Sequence, residues 1–179
     1  MAYRKAVLPS WKYAEALHEA PADHLIGMIK AVSDIEAPVH ASDVTRRLMD
    51  AFGVSRAGSR ITEAVSAAIQ QGHRSGTFHF SNGFVYSDKT KLANVRNRNV
   101  FEAAEKKIEH VAPEELDAAL LEVVRMGFSI DQDAAITGAL GLLGFGRATS
   151  NILSSMKGQL ASLLKKGAIK REDGRLTIV

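Results

Sequence analysis

The densest chemistry in the chain is cationic. Arg147, Lys157, Lys165, Lys166, Lys170, Arg171 and Arg175 fall in 147–179, where Glu172 and Asp173 are the acids. Ammonium and guanidinium groups at that density attract polyanions, and a nucleic-acid backbone is the polyanion with closely and regularly spaced charge. A sparser set, Arg56, Arg60 and Arg74 with His73 beside them, faces Glu63 alone in 55–86. Each set follows an acidic stretch. Asp23, Asp34, Glu36, Asp43 and Asp50 outnumber Lys30, Arg46 and Arg47 before the first. Six acids against Arg125 fill 113–146 before the second. A plainer reading stands beside this one, since Lys165 and Lys166 also suit the negative end of a helix. Between the sets, Asn94-Val95-Arg96-Asn97-Arg98-Asn99 offers Arg96 and Arg98 to a phosphate backbone, or to solvent in a linker whose asparagines make turns.

Other constellations lead away from catalysis. Gly141-Leu142-Leu143-Gly144-Phe145-Gly146 resembles a phosphate loop in composition, but no strand precedes it and no Lys-Ser or Lys-Thr follows. A turn between two helices explains it better. Asp131 and Asp133 lack the glycine and the final glutamate of a calcium loop, so Asp131 reads as a helix cap. The histidines form no ligand set. His18 and His24 are off one helical face, and His73 and His79 flank a hairpin. Cysteine is absent, which removes a thiolate metal site, a disulfide framework and a cysteine nucleophile. No nucleophile elbow or carboxylate pair stands out. These residues predict a binding module without cofactor or metal, not an enzyme.

The elements that position the cations come in two similar sets. Arg56-Ala57-Gly58-Ser59-Arg60-Ile61 matches Arg147-Ala148-Thr149-Ser150-Asn151-Ile152, and each follows a Phe-Gly pair, Phe52-Gly53 or Phe145-Gly146. Upstream, Leu25, Ile26, Ile29 and Val32 recur at helical spacing, as do Leu116, Leu120, Val123 and Val124. A short extended stretch follows, Pro38-Val39-His40 or Phe128-Ser129-Ile130. A second helix then begins behind Ser42 or Asp131. The third helix carries Ile61, Val65, Ala68 and Ile69, or Ile152, Met156, Leu160, Leu163 and Leu164. It ends at Gly72 or Gly167 and is one turn longer in the second set. Asn82-Gly83 and Asp173-Gly174 then turn a hairpin.

Helix, short strand, helix, turn, helix and hairpin is the order of a winged helix-turn-helix. The expected fold is mainly α with small β-hairpins, a tandem winged helix-turn-helix repeat. Its parts are an N-terminal arm (1–21), copy one (22–88), a basic linker and helix (89–110) and copy two (111–179). The linker opens with Lys89 and Lys91, and Val100, Phe101, Ala104 and Ile108 share a helical face. Trp11 in the arm is expected to anchor in a groove of copy one. No run of 18 apolar residues exists, and Met1–Ser10 lacks the apolar stretch of a secretory signal. Without cysteine, the chain suits a reducing cytoplasm. A net charge of +3 is a mild lean toward polyanions for this length.

A family resemblance adds a context. Ile35-Glu36-Ala37-Pro38-Val39-His40, Arg46-Arg47 and Ser55-Arg56-Ala57-Gly58-Ser59-Arg60-Ile61 resemble an uncharacterised bacterial domain family, a domain of unknown function. That family lies at the C-terminal end of large superfamily-1 helicase-like proteins that often also carry a Vsr-like endonuclease domain. The likeness runs on through Val95-Arg96-Asn97-Arg98, Pro113-Glu114-Glu115 and Leu143-Gly144-Phe145-Gly146-Arg147. It implies a part of a DNA-processing machine and supplies no catalytic residues. The expected function is a non-catalytic nucleic-acid-binding accessory domain, with DNA or RNA as partner. A protein or interdomain scaffold regulating an attached helicase is the alternative, marked by an apolar patch over Trp11, Phe84 and Tyr86. A dimeric transcription regulator is a third reading.

Overall fold

A computed structural model of the chain describes residues 1–13, 15–87, 94–146 and 148–179. Among these residues the fold is mainly helical with small antiparallel sheets. It divides into two compact units. The N-terminal unit is Arg4–Leu92, and the C-terminal unit is Met1–Tyr3 with Ala93–Val179.

The N-terminal unit has a single 3-10 turn at Leu17–Glu19, then α1 (Ala22–Glu36), β1 (Val39–His40), α2 (Ala41–Phe52), α3 (Ser59–Arg74), β2 (His79–Ser81) and β3 (Phe84–Tyr86). Its sheet order is β1-β3-β2, antiparallel throughout, with Val39 opposite Val85 and Phe80 opposite Val85 on the other side. The C-terminal unit has a 3-10 turn at Ile108–His110, α4 (Pro113–Gly127), α5 (Gln132–Leu143), α6 (Ser150–Lys165), β4 (Ile169–Glu172) and β5 (Arg175–Ile178). β4 and β5 pair antiparallel. A lone bridge from Ile130 to Leu176 takes the place that β1 has in the other unit.

Local sequence explains the boundaries. α1 stops at Glu36 because Pro38 pushes the residue before it, Ala37, into extended backbone. α2 and α5 end at Gly53 (φ 67°) and Gly144 (φ 83°), left-handed positions that glycine adopts without a Cβ penalty. Both hairpin turns take positive φ at two successive residues, Asn82-Gly83 and Asp173-Gly174, the requirement of the tight turn that matches strand twist. Apolar residues at spacings of three and four fill each core. Leu25, Ile29, Val65 and Val85 centre one, and Leu116, Leu120, Met156 and Leu176 the other.

Those two quartets are spaced by 91 residues, and so is nearly everything else. The 3-10 turns, α1 and α4, α2 and α5, and α3 and α6 all begin 91 residues apart. The left-handed glycines do the same, Gly53 with Gly144, Gly76 with Gly167 and Gly83 with Gly174. Paired helices have equal lengths of 15, 12 and 16 residues.

This spacing corrects several expectations. α6 is no longer than α3. The counterpart of Gly53 is Gly144, not Gly146, and Phe145 is a core residue. α3 continues past Gly72 to Arg74. Gly72 is a packing position inside the helix, where a Cβ would stand 2.3 Å from Phe78 Cζ. Ser42 does not cap α2. His40 does, with Nδ1 accepting from the Ser42 N–H at 3.3 Å. The helix expected over Val100–Ile108 does not form: the described backbone there is turns, ending in the 3-10 turn at Ile108–His110, and Val100 is exposed. Lys89 and Lys91 lie outside the described residues.

Candidate nucleic-acid interface

α6 is set by its ends and its stripe. Thr149 caps it, its hydroxyl accepting from the Ile152 N–H. Met156, Leu160 and Leu163 are buried against the core. Asn151, Ser154, Lys157, Ala161 and Lys165 form the opposite, exposed stripe at spacings of three and four. The helix contains no acid. Lys157 and Lys165 have no ion pair among the described residues.

The hairpin beside α6 adds exposed cations. Lys166 Nζ lies 3.2 Å from Asp117 Oδ2, and Lys170 Nζ 2.8 Å from Glu172 Oε1. The Lys170–Glu172 pair is exposed and holds its lysine weakly, by about 0–1 kcal/mol, and Lys166 is itself exposed although Asp117 is partly buried. Arg171 Nη2 donates to Gln132 Oε1 at 2.6 Å. Arg175 Nε and Nη2 donate to the Ser129 carbonyl at 3.3 and 2.8 Å. Those acceptors are neutral. They orient the guanidinium groups and leave the positive charge uncompensated. Arg147 lies outside the described residues.

In the N-terminal unit Arg56, Arg60 and Arg74 are exposed, but α3 presents Thr62, Glu63, Ser66 and Gln70 on the same side. His73 accepts from the Phe80 N–H through Nδ1 and meets the His79 ring edge-on at 5.0 Å. The basic character is therefore concentrated in the C-terminal unit.

Arg96 and Arg98 do not join any such surface. Both are buried around Glu115, which is 0% exposed. Arg96 donates to it from its backbone N–H (2.8 Å to Oε1), Nε (3.2 Å to Oε1) and Nη2 (2.7 Å to Oε2). Arg98 donates from Nη1 (2.9 Å to Oε1) and Nη2 (2.7 Å to Oε2). The Tyr3 ring covers both guanidinium groups, at 4.8 and 5.1 Å from its centroid, and meets Phe101 edge-on. Burial pushes the Glu115 carboxyl upward. The hydrogen bonds from Arg98 and Arg96, then their charges, outweigh it and hold the carboxyl below the usual glutamate range. A polar linker and a structural cluster look alike in sequence, because both are rich in Arg and Asn.

The N-terminal unit has a separate version. Glu36, also 0% exposed, accepts from Arg47 Nε (2.7 Å) and Nη2 (3.0 Å) and from the Ala6 N–H (2.8 Å). Glu36, Arg47 and Glu115 entered the charge balance of the sequence with no buried role expected for them. The signal against that was present. Glu36 continues the buried stripe Leu25, Ile29, Val32, and Glu115 sits one turn before buried Ala119 on its own. A carboxylate on an apolar stripe calls for a buried partner.

Trp11 packs as expected on the N-terminal unit. It stacks on Phe52 at 4.7 Å between centroids, meets His24 edge-on, and its backbone N–H donates to the Ala51 carbonyl. Phe84 is buried and Tyr86 half-buried, so Trp11, Phe84 and Tyr86 form no exposed apolar patch. Among the described residues no cluster of His, Asp and Glu could hold a metal ion, and no helix is long and apolar enough to cross a membrane. No curated protein and no solved structure matches the chain. Residues 15–63, which span α1, α2 and the start of α3, match the model of a family described as a protein of unknown function (DUF3320).

Proposed function

We propose that each unit is a winged helix-turn-helix and that the chain is a non-catalytic nucleic-acid-binding accessory domain of a helicase- or nuclease-type DNA-processing protein. The order β1-β3-β2 behind three helices supports the winged helix in the N-terminal unit, and the 91-residue spacing extends the reading to the other. In that fold the third helix and the hairpin meet the nucleic acid. The observation that carries the proposal is the acid-free exposed stripe of α6, with unpaired Lys157 and Lys165, continued by Lys166, Lys170, Arg171 and Arg175. The stripe offers Asn151 and Ser154 as its neutral polar groups beside Ala161 and two lysines, with no arginine or glutamine, so few side chains could read base edges. Binding is therefore non-specific and salt-sensitive.

Affinity for duplex and single-stranded DNA at two salt concentrations tests this. If all six described cations engage phosphates, log affinity falls with log salt at a slope of about −5. K157E combined with K165E flattens that slope by about 2. Absence of binding at low salt removes the proposal and leaves the protein or interdomain scaffold as the reading.

A further inference from the structure

Resting on the nucleic-acid reading of the C-terminal unit, we infer that Phe128 is a stacking platform for an unpaired base, so that the chain's ligand includes single-stranded nucleic acid. Phe128 is 86% exposed, and Met126 beside it is 69% exposed. Its backbone stands at φ 55°, ψ −47°, and the Ser129 N–H closes a three-residue turn onto the Gly127 carbonyl. A γ-turn with positive φ at a bulky residue is rare and strained. Strain of this kind persists where the surrounding structure enforces it, and it gathers at ligand sites.

The fold itself does not ask for an aromatic here. The position 91 residues earlier is Ala37, which makes the same passage from helix to extended chain at φ −63°. A phenylalanine that buries almost nothing adds no core stability, so its ring is available to a ligand.

Charge selects the ligand. Arg175 donates twice to the carbonyl of Ser129, the residue after Phe128. Arg171 reaches Gln132 in the same segment, and Arg125 is exposed in the last turn of α4. The acids of the same segments are Asp131, which caps the Ala134 N–H and keeps its charge, Asp133, Asp173, and Glu172, which is paired with Lys170. An exposed ring with Arg175 bonded to the next residue's carbonyl, and with Arg125 and Arg171 on the adjoining elements, suits a base with its phosphates: the base stacks on the π-face and the cations follow the backbone. Base pairs inside a duplex do not present that face.

The test compares a short labelled oligothymidylate with a duplex of equal length at low salt, using wild type, F128A and F128W. F128A is expected to weaken oligothymidylate binding by about 5- to 150-fold, the usual range for one stacked base, and to leave duplex affinity within twofold. F128W is expected to retain binding and to report it by quenching of the new indole, in a W11F background. Equal affinity of F128A and wild type for oligothymidylate overturns the inference while nucleic-acid binding stands. So does equal loss for both ligands. If wild type binds neither ligand at low salt, the nucleic-acid reading itself fails, and the stacking role with it.

Discussion

Removing the charge of Glu115 is the sharpest test of the C-terminal unit's interior. Its carboxylate is fully buried and accepts five hydrogen bonds from two arginines that are themselves 8% and 5% exposed. In E115Q the amide keeps one acceptor oxygen and turns an NH2 group toward guanidinium donors. Two buried cations then lack a counter-charge. Breaking a buried ion pair by removing one partner costs about 3–5 kcal/mol, a large share of the 5–15 kcal/mol that a typical domain has. In urea unfolding followed by far-UV circular dichroism, the midpoint of the affected transition should fall by about a third to a half, or this unit should be already unfolded. A second variant separates charge from packing. Changing all three groups to apolar ones, R96M with R98M and E115M, removes the uncompensated charge and should cost less than E115Q alone, as replacing a buried triad often does, although the Arg96 backbone N–H also loses its acceptor. A loss below about 1 kcal/mol in E115Q, or a triple variant less stable than the single, would show that the cluster is not held by its charges.

Other consequences follow from the same geometry. Because the Glu115 carboxyl is held below the usual range, its contribution is complete above about pH 4.3. It is lost as the pH falls through the depressed folded value, so acid unfolding of wild type should be steeper in that window than that of the triple variant. G53A and G144A both place Ala at positive φ and should each cost about 1–2 kcal/mol. G144A should cost more, because its Cβ would lie 2.7 Å from the Arg98 backbone nitrogen, whereas nothing lies within 4 Å at Gly53; equal losses in thermal unfolding would contradict that packing. G72A should destabilise by about 1–3 kcal/mol by driving a methyl into the Phe78 ring, and G72A with F78L should recover part of the loss.

The sequence by itself determined what depends on local chemistry. Spacing of Leu25, Ile29, Leu116 and Leu120 marked helices and their buried faces. Asn82-Gly83 and Asp173-Gly174 marked the hairpin turns, because few other pairs tolerate two positive φ values. The cations of α6 and β4–β5 were legible as exposed charge, since charged residues on the polar stripe of an amphipathic helix or on a short hairpin have nowhere to bury. Only the tertiary structure decided which charges are internal. Arg96 meets Glu115 across 19 residues and Arg47 meets Glu36 across 11, separations at which no periodicity signals contact. Tertiary packing also gave the same dipeptide two uses. Phe52-Gly53 ends a helix, whereas in Phe145-Gly146 the ring enters the core and the left-handed position has moved to Gly144. A left-handed residue is fixed by where the helix ends, and the helix ends where its buried face does.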